Sequence, residues 1–182
     1  MAFENLSQQL ETHLGLDLRD QIMEGGEQAR KADKVKKARW MKCAMERMDA
    51  LVDEPTRIQI MEQRGHKCGW RGRAEKIAKV RPKCSSMEEF CEGLKAIFGN
   101  DYGVECDGQT IITSYPRCYC GAVSATKEPI SITYCHCGKG YWMAMFEHAL
   151  GRPIRVDLLQ TVISGADSCR FAIHIPEEEF EG

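Results

Sequence analysis

Two Cys-x-Cys pairs, Cys118-Tyr119-Cys120 and Cys135-His136-Cys137, carry the strongest chemical signal in the chain. A thiolate is a soft ligand for zinc or iron, and it is also a nucleophile. On a strand, residues two apart share a face. If Thr126-Lys127-Glu128-Pro129 forms the turn of a hairpin, Cys120 falls opposite Cys135 and Cys118 opposite Cys137. All four thiols then share one face, with Tyr119 and His136 on the other. Opposed Cβ atoms lie ~4.5–5.5 Å apart and same-face neighbours ~6.8 Å apart along a strand. Sulfurs around tetrahedral zinc are only ~3.8 Å apart. Such a rectangle holds zinc only if a strand bends near Gly121 or Gly138, or if an outside ligand joins two or three of the thiolates.

Two cysteines can supply that ligand. Cys68 follows His66-Lys67 just beyond Gly65, which reads as a helix stop, so a plain surface loop is the alternative. Cys169 opens the last strand after Gly165-Ala166-Asp167, within reach of the core or of the site. The expected metal set is therefore Cys118, Cys120, Cys135, Cys137, Cys169 and Cys68. Zinc is the default, with iron or an iron–sulfur cluster second. Reactive thiols without metal and buried structural cysteines stay open as alternatives. Cys43, Cys84, Cys91 and Cys106 lack close sequence partners and read as small buried hydrophobes. His13, His148 and His174 read as ordinary polar residues.

Composition frames this chemistry. Ten cysteines stand among 182 residues. The opening Met1-Ala2-Phe3-Glu4-Asn5 lacks the basic and apolar stretches of a secretory signal. The longest apolar run, residues 141–146, is far short of the ~20 needed to span a bilayer. Those features predict a cytoplasmic protein, where metal or thiol chemistry explains cysteines better than disulfides. With 43% hydrophobic residues the chain can bury a core, and its formal net charge of −2 gives no global pull toward nucleic acid or membrane.

The elements that position the cysteines fall into two regions, 1–100 helical and 101–182 α+β. Leu6, Leu10 and Leu14 recur at helical spacing, and a long helix over 27–51 sets Ala38, Met41, Met45, Met48 and Val52 on one stripe. Asp53 reads as an N-cap with Pro55 in the first turn. Ser85 or Ser86 with Glu88 or Glu89 makes a capping box, and that helix buries Met87, Phe90, Leu94 and Ile97 before Gly99-Asn100. Beyond Asn100 the pattern becomes β-branched. Strands are expected over 110–115, 130–134, 154–163 and 169–175, with a crossing helix at 139–150 that faces Trp142, Met145, Phe146 and Ala149 inward. The fold class predicted is α+β, a helical first half followed by an antiparallel sheet. The acidic end, 177–181, reads as a solvated tail.

Gly140-Tyr141-Trp142, Phe146-Glu147, Leu150-Gly151-Arg152-Pro153-Ile154 and Gly165-Ala166-Asp167-Ser168-Cys169-Arg170-Phe171 together resemble the C-terminal motif of 4-vinyl reductase domains. They also resemble proteins described as L-2-amino-thiazoline-4-carboxylic acid hydrolase-like. With the cysteine pairs and Ile60-Met61-Glu62, the whole chain is similar to an uncharacterised cysteine-rich bacterial and archaeal family of the same layout. The vinyl-reductase resemblance covers about residues 138–175. It implies an antiparallel sheet, a small-molecule pocket between sheet and helices, and often a bound zinc, in ligand-sensing modules or tetrapyrrole metabolism. Cys169 matches the motif's closing cysteine, a usual zinc ligand. The motif's earlier cysteine is replaced by Thr161, and the Cys-x-Cys pairs are the candidates to take its place. The hydrolase resemblance brings no matched catalytic set.

Three functions follow as expectations. The first is a metal-stiffened module or sensor for a small apolar or aromatic molecule, with Tyr115, Tyr134, Tyr141, Trp142 and Phe146 around the pocket. The second is a hydrolase or reductase using metal-bound water or a cysteine thiolate. A closed four-thiolate site argues against metal catalysis, since catalytic zinc keeps one position open. The third is nucleic-acid or partner binding, including a homodimer, through the basic helix over 30–47. There Arg30, Lys31, Lys34, Lys36, Lys37, Arg39 and Lys42 flank Trp40, but no nucleic-acid motif accompanies them.

Overall fold

Side-chain caps set most helix starts. In the computed structural model, which describes residues 2–121, 123–126 and 128–180, Asp33 accepts from the Lys36 amide to open α3 (Lys34–Leu51). Asp53 accepts from the Thr56 amide at 3.0 Å to open α4 (Glu54–His66), with Pro55 in its first turn. Ser86 accepts from the Glu89 amide at the head of α6 (Met87–Phe98), and the Glu89 carboxylate accepts from the Ser85 amide at 2.7 Å. Each satisfies one of the donors that a helix start leaves orphaned. The remaining helices are α1 (Ala2–Ile22), broken at Gly15, α2 (Gly26–Lys31), α5 (Arg71–Val80) and α7 (His136–Leu150). Four strands, β1 (Gly103–Asp107), β2 (Thr110–Tyr115), β3 (Arg155–Gln160) and β4 (Cys169–His174), form an antiparallel sheet in the order β1-β2-β4-β3. The fold is α+β, a helical first half followed by a sheet and a helix. Among the described residues no helix is long and apolar enough to cross a membrane.

Several local expectations are corrected. The helix expected over 27–51 is two, because Asp33 caps a new start after Lys31. Helix α5 lies in the region expected to be helical, though no local signal sets its bounds, and strand β1 lies ahead of the first expected strand. No hairpin joins the cysteine pairs: the described residues between 116 and 131 form no helix or strand, 130–134 form no strand, and Ile132–Cys135 is a 3₁₀ turn running into α7. Lys127, in the expected hairpin turn, lies outside the described residues. Gly65 does not stop α4. It lies inside the helix, where a side chain would strike the backbone of α7. The strand expected over 154–163 ends at Gln160, and Thr161 caps a 3₁₀ turn over Val162–Ser164.

The sheet register aims a row of side chains at the helices. Ile111 pairs with Ile173, Thr113 with Phe171, and Tyr115 with Cys169 across β2 and β4. Leu158 and Val156 continue the rows from β3. This face packs on α5, α6 and α7 as one buried cluster containing Ile77, Phe90, Leu94, Trp142, Met145 and Phe146. A second cluster joins α1, α3 and α4 through Leu6, Leu10, Met41, Met45, Met48 and Ile60, and the irregular segment adds Val123 and Ile130. The Met stripe is therefore core.

Cys91 and Cys106 are joined by a disulfide that ties α6 to β1, with Cα atoms 6.3 Å apart. This corrects the reading of both as isolated hydrophobes. They lie fifteen positions apart, so no local spacing marks the pair. Cys43 is exposed rather than buried. On the basic helix, Trp40 stacks on Phe3 and donates to the Glu24 carbonyl at 2.8 Å. Arg39 and Lys42 pair with Glu128, and Arg30 with Glu4.

Candidate functional site

The six cysteines expected to act together line one cavity of about 270 Å³ at the seam between the two buried clusters. They arrive from five pieces of structure. Cys68 lies just beyond α4, and Cys118 and Cys120 sit on the irregular segment after β2. Cys135 ends the 3₁₀ turn, Cys137 is in the first turn of α7, and Cys169 begins β4. Tyr115, Tyr134, Tyr141 and Trp142 line the same cavity. Phe146 does not: it is fully buried behind Trp142, with ring centroids 6.3 Å apart. Tyr119, placed by hairpin arithmetic on the far face, instead lines the cavity and stacks on Tyr102 at 5.7 Å.

Glycines bring the walls together. A Cβ on Gly140 would overlap the Glu62 carbonyl, and one on Gly65 would lie 2.7 Å from the Tyr141 amide. Helices α4 and α7 therefore meet backbone to backbone, a spacing open only to residues without a side chain. Gly138 serves the sheet side, where a Cβ would stand 2.8 Å from Cζ of Phe171.

One wall is aromatic. Tyr115 stacks on Phe171 at 6.0 Å and meets Tyr102 edge-on at 5.5 Å, while Trp142 stands edge-on to Tyr141 at 5.7 Å. Arg73 on α5 donates to the Tyr141 hydroxyl at 2.9 Å and the Tyr102 hydroxyl at 3.3 Å. Next to the lining residues Cys137 and Tyr134 lies a buried cation, Arg64, only 3% exposed. Its Nη1 donates to Cys137 Sγ at 3.1 Å and its Nη2 to the Tyr134 hydroxyl at 3.4 Å. Tyr134 in turn lies 2.8 Å from Cys120 Sγ.

The thiols are not equivalent. A hydrogen bond with Cys137 lowers Cys68 to about 6, and the charge on Arg64 pulls the same way against burial. Cys137 is held up by that hydrogen bond and by its burial. Burial pushes Cys135 up to about 12 and raises Cys118 and Cys169; neighbouring thiols oppose ionisation of Cys135 and Cys118 further, while the Val162 amide and Tyr115 partly offset the rise at Cys169. Cys68 is thus the most readily ionised of these five thiols, while burial favours the protonated form of the other four.

Arg64, Arg73, Tyr102, Tyr119 and Phe171 had not been singled out. Arg64 had one available signal: it lies four residues before Cys68, one helical turn away, had the helix been carried through Gly65. The set has donor chemistry suited to a soft metal. Yet among the described residues no three His, Cys, Asp or Glu side chains are arranged to hold an ion.

The chain belongs to a family of unknown function, DUF6144. The family model matches residues 4–180 and so spans helices, sheet and cavity alike. No curated protein matches the chain. The family assigns no activity.

Proposed function

We propose that this protein is a binding module for a small aromatic molecule, held in the cysteine-lined cavity between its two cores. The observation that carries this reading is the cavity itself, about 270 Å³ with Tyr102, Tyr115, Tyr119, Tyr141, Trp142 and Phe171 on its walls. Ligand sites are characteristically concave and apolar, with a few placed polar groups. Arg73, anchored by two tyrosine hydroxyls, is such a group and suits a carboxylate or carbonyl on the ligand. Removing an aromatic ring from water supplies about 4–6 kcal/mol of gross stabilisation before the cost of association. The resemblance of residues 138–175 to ligand-sensing domains points the same way.

A panel of benzoates, indole carboxylates and their neutral analogues, titrated by calorimetry, tests the reading. Wild type is expected to bind members of the panel. Tyr119, 40% exposed at the rim, is the position to change: Tyr119→Ala should weaken binding about tenfold and leave the melting temperature nearly unmoved. Absence of binding across the panel, or equal binding by a Trp142→Ala variant that still folds, would overturn it.

The thiols support a second reading, a soft metal ion with zinc first and iron or an iron–sulfur cluster next. Cys120 and Cys169 lie close enough to Cys118 and Cys135 to oppose the ionisation of those two thiols. The described side chains do not meet at one point, so no chemistry is derived through an ion. Metal content and thiol count of protein purified without oxygen, before and after chelation, decide this reading.

A further inference from the structure

The cavity is small and opens at a lip. At about 270 Å³ it falls just under the ~300–1,000 Å³ of ordinary ligand sites, room for one ring and a few further atoms. The lip leads onto a surface groove, and Cys118, Tyr119 and Ile163 line both. Past it, the groove runs between Val123 and Ile130 of the segment after β2 and Val162 of the 3₁₀ turn after β3. Val123 and Ile130 belong to one buried cluster, and Val162 packs against the other. Both cores therefore hold the apolar sides of the groove in place before any ligand arrives. Charge along it is one-sided. Its carboxylate, Glu128, already pairs with Arg39 at 2.7 Å and Lys42 at 3.6 Å. Arg117 sets its guanidinium carbon 5.0 Å from the centroid of the Tyr119 ring. Among the described residues it makes no ion pair or hydrogen bond. A cation at the lip with no carboxylate of its own is a ready partner for an anion there.

Resting on the aromatic-ligand reading above, we propose that the ligand is an aromatic carboxylic acid bearing an apolar acyl chain. The ring fills the cavity, the carboxylate stops at the lip beside Arg117, and the chain lies in the groove against Val162 and Ile130. The order of chemistry along the site sets the order of groups along the molecule: aromatic wall, then cation, then apolar groove. A ring alone leaves the groove in water. A plain fatty acid sets a flexible chain against a wall whose tyrosines, tryptophan and phenylalanine favour another ring. Arg73, on that wall, stays available to a polar substituent of the ring. Tyr119 borders both compartments and carries Arg117 on its ring, so it is the point where head and chain join. Full burial of a methylene multiplies affinity by about fourfold, and half-burial in an open groove by about twofold. A chain of several carbons therefore gains tenfold or more.

The test titrates N-acetyl-phenylalanine, N-octanoyl-phenylalanine and N-octanoyl-phenylalaninamide into the full chain by calorimetry, each below its micellar concentration. Wild type should bind the octanoyl acid about tenfold or more tighter than the acetyl acid. It should also prefer the octanoyl acid to its amide by about fivefold or more. Ser124 is exposed and lines the groove but not the cavity. Ser124→Trp should block the groove and cut the chain gain to about threefold or less. Arg117→Gln should bring acid and amide within about twofold of each other and keep the chain gain. Both side chains are exposed, and unchanged melting temperatures verify that the variants fold. A wild-type chain gain below about threefold, a gain that survives Ser124→Trp in full, or equal binding of acid and amide would each overturn the proposal. If the acetyl acid and members of the benzoate and indole panel bind while the octanoyl chain adds nothing, the groove is excluded and the aromatic cavity stands. If neither that panel nor either acid binds, the aromatic reading falls and the groove proposal with it.

Discussion

Gly140 of α7 rests against Glu62 of α4 so closely that a Cβ on the glycine would overlap the Glu62 carbonyl oxygen and lie 2.6 Å from its carbon. Backbone cannot swing aside as a side-chain tip can. Gly140→Ala is therefore expected to cost at least the ~1–3 kcal/mol typical of overpacking, read from urea unfolding. Gly65→Ala should behave alike. Gly72 on α5 has nothing within 4 Å of a Cβ, so Gly72→Ala should be neutral or gain up to about 1 kcal/mol. Equal losses at all three positions would refute the close-crossing argument.

The Cys91–Cys106 disulfide closes a loop that spans the turn from α6 into β1. Chain-entropy reasoning gives about 3 kcal/mol for a loop of this size. Cys91→Ser with Cys106→Ser is expected to lower the urea midpoint by a corresponding amount. Adding reductant should lower the wild-type midpoint and leave the double variant unmoved.

Stability should respond to pH on two sides. Cys68 sits at about 6 when folded, below the ~8.5 of a free thiol. Its contribution is full above ~8.5 and is lost as pH falls through 6, where the folded thiolate takes up its proton. Cys135, pushed up to about 12 by burial, acts oppositely: the unfolded chain releases this proton above ~8.5 while the folded one keeps it. Stability then falls as pH climbs toward 12. Urea midpoints measured across the range should rise on the acid side and decline on the alkaline side. Cys68→Ser should flatten the first limb, and Cys135→Ser the second.

Arg73 offers charge at the aromatic wall. Arg73→Gln should weaken aromatic carboxylates by about tenfold or more and leave neutral analogues within about threefold. A uniform loss across both classes would mean that the substitution disturbs the wall instead.

The helices were legible wherever caps and apolar stripes agreed, as at Asp53 and Ser86. The sheet was legible in β2 and β4, where β-branched residues alternate. Cys-x-Cys looks like strand period, and Ile130 to Tyr134 are rich in β-formers, so a hairpin followed. Its partner segment is a 3₁₀ turn leading into α7. Gly138 and Gly140, poor helix formers, hid the true start of α7 at His136. They are present because Phe171 and α4 come too close for a Cβ, which only tertiary structure reveals. The six cysteines do line one cavity, but through five pieces of chain rather than through strand register. Arg64 escaped notice because Gly65 read as the end of its helix.

The cavity lies between two separately packed clusters, which makes it a joint as well as a container. Either core can loosen by opening along that seam before the other gives way. An occupant that touches both walls raises the free energy of such sub-global opening for both together. Filling the cavity should therefore do more than add affinity. Amides in α1 and α3, far from any contact with the occupant, should gain hydrogen-exchange protection in step with those of β4.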